Sequence, residues 1–292
     1  MAGILIGFIV GPQNIDFLMI MIIIQMVQMS ISMDGLELKK GDVKHYKKEI
    51  WITFLCCYLL NAGVTILMGI PFMESHPDVW YGWALFASLP CAISVIICGM
   101  YMKGDVKLAL VSVTVIYLIS LALTPALSYV LIGNAVSPTE ILKYIVLFIV
   151  IPFLVSLLIK RLHLKAERKT VIINAIFMLL VLFAIAANRS AFFEETMLVL
   201  SILALVTIRL VVITIIPLVW SRRAGVDRGR SVVYVSMAAW KNTRLCITMA
   251  MVLMPGAVLP CVLSLFAENF WFKIMVNRAD KIWGIDSQPQ SL

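Results

Sequence analysis

The sequence predicts an all-α polytopic membrane protein with about nine transmembrane helices. Composition, the spacing of its hydrophobic runs and the charge between those runs all predict it. Of 292 residues, 62% are hydrophobic and only 14% charged, whereas a soluble globular domain carries roughly 45–50% and 25%. Mean hydropathy is +1.01. A helical span needs about 20 mostly apolar residues. Runs of that length fall at 15–33, 49–70, 79–101, 106–132, 139–160, 170–188, 196–220, 231–253 and 257–276. The gaps between them are too short to build a core, so 1–292 reads as a single transmembrane domain. An apolar stretch at 2–10 is too short to cross and is interrupted by Gly11-Pro12. No basic residue precedes it, so no cleavable leader is expected.

The charge between the runs follows in chain order. Lys39, Lys40, Lys44, Lys47 and Lys48 follow the first run, and the next gap holds Glu74, His76 and Asp78 without Lys or Arg. Lys103 and Lys107 follow the third run. Glu140 opens the fifth, with Lys143 behind it. Lys160, Arg161, Lys165, Arg168 and Lys169 precede the sixth run, and Glu194 and Glu195 follow it against Arg189. Arg222, Arg223, Arg228 and Arg230 then lead into the eighth run. The gap at Pro255-Gly256 carries no charge, and the tail holds Arg278 and Lys281. Basic and non-basic gaps alternate without a break. By the positive-inside rule this predicts an odd number of spans in the cell membrane, with the N-terminus outside and the C-terminus cytoplasmic.

Several function classes are excluded. The net charge of +8 sits in gaps between spans, with no basic stripe and no interleaved aromatics, so no nucleic-acid partner is expected. Cys56, Cys57, Cys91, Cys98, Cys246 and Cys261 all fall within apolar runs and show no C-x-x-C or Cys/His spacing. They read as small apolar packers, and neither metal nor cofactor is implied. His45, His76 and His163 lie at span ends or between spans, as solvated histidines do. No nucleophile elbow, phosphate loop or H-E-x-x-H occurs, so the chain does not read as an enzyme.

The informative residues are polar ones inside apolar runs, where ionisable groups are costly and mark a site or a buried pair. The eighth run contains Lys241-Asn242-Thr243-Arg244, with both cations near mid-membrane. The seventh contains Arg209 and the ninth Glu268-Asn269. One carboxylate can neutralise one of these cations in a structural pair. The remaining positive charge suits an anionic ligand. The third run carries Pro90 near its middle, with Ser94 close behind. Proline removes a backbone hydrogen bond and frees carbonyls, and carriers place their sites where two discontinuous helices meet at the midplane. The reading therefore expects Asn242, Thr243 and Ser94 to line a water-filled cavity near Pro90.

At these residues the chain resembles the bile acid:sodium symporter family. Met29-Ser30-Ile31-Ser32-Met33 with Leu36-Glu37-Leu38-Lys39 is similar to that family's M-G-L-T-L-x-x-x-D-F. The Pro90 segment followed by Lys103-Gly104-Asp105-Val106 is similar to P-G-G-x-x-S-N followed by R-G-N-V. Leu123-Thr124-Pro125-Ala126 matches L-T-P-A, Ile151-Pro152 fits L-P-I, and Lys241-Asn242-Thr243 occupies the place of Q-N-S-G. The matches run in order from about 18 to 282. The resemblance implies inverted repeats with two crossing discontinuous helices, here lacking the first helix of the first repeat. It also implies panel-like spans at 15–33, 139–160 and 170–188, core-like spans within 49–132 and 196–276, and a substrate site between the two groups.

That resemblance implies a secondary carrier of a small organic anion. Where the family has Ser and Asn as sodium ligands, this chain has Val95 and Ile96. Met237 stands in place of Glu, and Lys241 in place of Gln. Hard cations need oxygen ligands, so sodium coupling is not expected. An ammonium at Lys241 would stand in for the ion and bridge carbonyls freed at the breaks, and proton coupling stays open. The substrate-binding candidates are Lys241, Asn242, Thr243, Arg244, Ser94, Pro90, Glu268, Asn269 and Arg209. The alternatives are a membrane receptor that binds without transporting and an arsenite-type permease, the latter without a cysteine placed for the metalloid.

Overall fold

The structure is a computed structural model that describes Gly7, Ile9, 17–34, Leu36, 40–162 and 165–284. The expectations for Gly11-Pro12, 37–39, His163 and the tail beyond 284 lie outside these residues. Among the described residues the chain is helical, and its one β-type contact is an isolated bridge. The principal helices are α1 (Phe17–Met33), α2 (Lys47–Phe72), α3 (Pro77–Ser88), α4 (Val95–Met102), α5 (Val106–Ile132), α6 (Thr139–Ile159), α7 (Ala166–Ala187), α8 (Thr196–Arg223), α9 (Arg228–Ala239), α10 (Thr243–Leu253) and α11 (Val258–Trp283). Short helices at Lys40–His45 and Arg189–Glu194 join some of them.

Among the described residues, six helical stretches are long and apolar enough to cross a membrane: α2, α5, α6, α8, the Glu167–Ala186 part of α7, and Pro255–Trp283, which contains α11. Two shorter apolar helices, Leu18–Met33 and Thr243–Leu253, accompany them. The expected 106–132 coincides with α5. The last helix runs on to Trp283 rather than ending at 276, because its final turns pack through Met275 and Ala279, both buried. Large apolar side chains on the outer faces, such as Leu59, Leu158, Val171 and Ile215, are exposed. Hydrocarbon accepts such a surface; water penalises it.

The third and eighth runs are each split into two pieces, and the causes differ. Proline cannot donate, and it biases the preceding residue away from the helical region. Accordingly α3 stops at Ser88, with Leu89 extended at ψ 157° ahead of Pro90. No proline interrupts the eighth run. There α9 ends at Ala239, Trp240 is extended at ψ 106°, and Asn242 opens α10 by accepting the Leu245 N–H at 3.2 Å. A π-helical stretch at Leu55–Asn61 interrupts α2 at the level of both breaks.

Helices α1, α6 and α7 pack together, with α1 central. Elsewhere α8 lies against α9 and α11, α3 against α2, α5 and α11, and α4 against α5 and α9. Helix α10 touches both groups, packing on α11 as well as on α1 and α7. Gly82 on α3 sets one close approach: a Cβ there would lie 2.2 Å from the Ala257 carbonyl oxygen, ahead of α11. At the basic ends of the helices, Lys107 pairs with Asp42 at 2.7 Å and Arg230 with Glu49 at 3.2 Å. Beside them the Tyr46 hydroxyl donates to Asp105 at 3.2 Å. Burial, followed by the charge and hydrogen bond of Asp105, raises this phenol above its ordinary value.

Candidate functional site

The two interrupted segments meet in an antiparallel bridge between Cys91 and Lys241. The Ala92 N–H donates to the Trp240 carbonyl and the Asn242 N–H to the Pro90 carbonyl, each at 2.9 Å. Thus each break supplies a donor and an acceptor to the other. Broken helices also free carbonyls that must find partners when buried. At the first break, the Lys241 ammonium donates to Ala87 O at 2.8 Å and Leu89 O at 2.6 Å. Thr124 on α5 donates to Ser88 O at 2.9 Å. The ammonium also sits 4.7 Å from the centre of the Tyr58 ring, within cation–π range. The expectation that Lys241 bridges freed carbonyls is met at this break.

The second break is served by neutral groups. The Asn61 amide, at the end of the π-helical stretch, donates to Ala238 O, and Thr65 donates back to Asn61 at 3.0 Å. Thr243 contributes its N–H to Lys241 O at 2.8 Å, and its hydroxyl donates to Glu268 at 2.5 Å. The other Glu268 oxygen accepts from Arg209 at 2.9 Å. Arg209, fully buried, lies over the Phe86 ring at 4.5 Å. Glu268 and Arg209 are therefore the structural ion pair the sequence offered as one outcome.

A cavity of about 550 Å³ lies beside the breaks. Its wall is drawn from α1, α4, α5, α7, α11 and both breaks. Ser94, Lys241, Asn242, Thr243, Arg244, Glu268 and Asn269 all line it. Asn242 is held by a 2.7 Å bond from its amide to the Tyr117 hydroxyl, and Asn269 donates to Leu265 O at 2.7 Å. Two sequence candidates are not in the wall. Pro90 contributes its carbonyl to the bridge behind the surface, and Arg209 lies beyond Glu268.

Arg244 is the cation left over. Its guanidinium stacks 4.2 Å from the Phe177 ring of α7, and among the described residues it forms no ion pair. Pairing Arg209 with Glu268 and fixing Lys241 on carbonyls leaves Arg244 as the wall's unneutralised guanidinium. Its donors can take a carboxylate or sulfonate side-on. At the positions where sodium ligands were missing, Val95 and Met237 are fully buried and Ile96 lines the cavity. All six cysteines are buried free thiols, and Cys98 forms part of the cavity wall.

Sequence reasoning missed Tyr58, Asn61, Thr65 and Tyr117, which complete this network from α2 and α5. A signal existed: Asn61 and Thr65 stand four residues apart in an otherwise apolar run, hence on one helix face. Thr124 was noticed for its place in a motif, not as a partner for a broken helix.

A sequence profile of the Sodium Bile acid symporter family matches residues 19–216, more than half of the chain. The chain belongs to that family. Members of the family are membrane transporters rather than enzymes. The matched stretch runs from α1 into α8 and includes Pro90 and the first break. Lys241, Arg244 and Glu268 lie beyond it. No individual curated protein matches the chain.

Proposed function

We propose that the protein is a secondary carrier of small organic anions whose coupling does not use sodium. The observation that carries this reading is the division of labour among its intramembrane cations. Lys241 occupies the carbonyls of Ala87 and Leu89, so the backbone oxygens freed at the first break are already bound by a fixed positive charge. Side chains at 95, 96 and 237 offer no oxygen to an ion. Arg244 faces the cavity unneutralised and receives the anion, with Asn242, Thr243 and Ser94 supplying neutral hydrogen bonds.

In this reading α3 with α4, and α9 with α10, each form one broken crossing. Together with α1 and the six long helices they give nine spans, in inverted repeats that lack one helix. Helices α1, α6 and α7 are the panel and the remainder the core, which the observed packing supports. The N-terminus lies outside the cell membrane and the C-terminus in the cytoplasm. Labelling of a cysteine at 75, but not at 225, from outside sealed cells is the expected result; the reverse pattern refutes the orientation.

The functional test is uptake of radiolabelled organic anions into proteoliposomes, in sodium and in choline at fixed pH. Equal uptake in both is expected, and Arg244→Gln should abolish it. Collapse of uptake in choline overturns the sodium-independent reading. A pH gradient imposed on the same vesicles tests proton coupling. Saturable binding without flux identifies a receptor, and arsenite flux alone identifies a permease of that type.

A further inference from the structure

The cavity has a second polar end. Asp34, just past the last turn of α1, pairs with Lys169 on the first turns of α7, and both residues line the cavity. The Asp34 side chain is 6% exposed. One of its oxygens accepts from Lys169, but Oδ1 is buried and has no hydrogen-bond partner. A buried acceptor left unpaired is destabilising, so an acceptor of this kind at a cavity wall points to a donor that arrives with the ligand. Lys169 already neutralises the carboxylate. The missing partner is therefore a neutral donor, a hydroxyl or an amide N–H, rather than a second cation.

The two ends are spaced along one helix. Arg244 stacks on Phe177 and Asp34 pairs with Lys169, and both aromatic and lysine belong to the same helix, α7. Eight residues of helix rise by about 12 Å. The cavity wall is mixed, with Ile31, Ile97, Met100 and Ile173 beside Gln28 and Asn174.

We infer that Asp34 is a second ligand anchor, and that the cavity takes an elongated monoanion with a neutral hydrogen-bond donor about 12 Å from its anionic group. The inference rests on the anion-carrier reading, because Arg244 holds the charged end. It adds a length and a second functional group to that reading, and it makes Asp34 a specificity-determining residue.

Two probes of matched chain length separate the possibilities: 10-hydroxydecanoate, which carries both groups, and decanoate, which carries only the carboxylate. Binding is measured by calorimetry on the full chain in nanodiscs, with empty nanodiscs subtracted. The unmodified protein should prefer the hydroxy acid by about tenfold, the worth of one hydrogen bond to a charged acceptor. Asp34→Asn should reduce that preference to about threefold or less. Arg244→Gln should weaken both probes together. Equal affinity of the unmodified protein for the two probes overturns the second anchor, even if Arg244→Gln shows that the anion site stands. Indifference of both probes to Arg244→Gln overturns the carrier reading beneath it.

Discussion

The two breaks answer the same physical problem with different chemistry. Each interrupts a buried helix and leaves carbonyls without their usual donors. At the first break two of these oxygens are served by an ammonium, and that ammonium comes from the second break. At the second break the Ala238 oxygen is served by a neutral amide from α2. Near the second break Arg209 pairs with Glu268 and Arg244 stands apart over the Phe177 ring, while the charge at the first is an ammonium on backbone oxygen. A fixed cation can thus act as a structural joint and as part of a cavity wall at once. Lys241 ties α3 to the second break and also lines the cavity.

Substitutions at each break test how far the two differ. The largest effect belongs to the charged pair. Glu268→Gln leaves Arg209 buried without a counter-charge, and loss of one partner of such a pair costs about 3–5 kcal/mol. The unfolding midpoint in detergent should fall accordingly, and Arg209→Met combined with Glu268→Met should recover most of the loss. An unchanged midpoint in the single variant would mean that the pair carries no stability. Lys241→Met comes next. It preserves volume but strips the donors from Ala87 and Leu89, at about 2–3 kcal/mol. Cysteine accessibility at position 92 should rise with it. No change in either readout would show that the carbonyls find water instead. Asn61→Leu is the smallest, at about 1 kcal/mol, because the two hydrogen bonds lost, to Ala238 O and from Thr65, are both neutral and each is worth little inside a membrane bundle. A loss equal to that of Lys241→Met would erase the distinction between the two breaks.

Much of this architecture was legible from residues. Runs of apolar side chains mark hydrocarbon-spanning helices because an unpaired backbone is intolerable in lipid, and 106–132 came out as α5 without adjustment. Pro90 announced its break because proline acts locally, through one missing N–H and one steric clash. The second break was legible only as a cluster of polar residues, since one piece ends at an extended Trp240 and Asn242 caps the next, without a proline. Pairing was not legible. Nothing in sequence spacing says that Arg209 rather than Lys241 takes Glu268, because that depends on how α8 meets α11. Nor could Asn61 be assigned to Ala238, since it reaches that carbonyl from a π-helical stretch that shifts the facing of every residue in it. The Asp34 anchor was hidden for the same reason: it needs α1 beside α7.

The tight approach at Gly82 has a mechanical consequence. With no side chain there, α3 rests its backbone against the Ala257 carbonyl, so the first broken segment touches the turn leading out of the second. The Cys91–Lys241 bridge fastens the same two segments again. Two segments clamped at two separated points cannot pivot about either one. The interruptions that look like hinges are therefore welded joints, and bending strain applied to one half-helix is carried as load by the other.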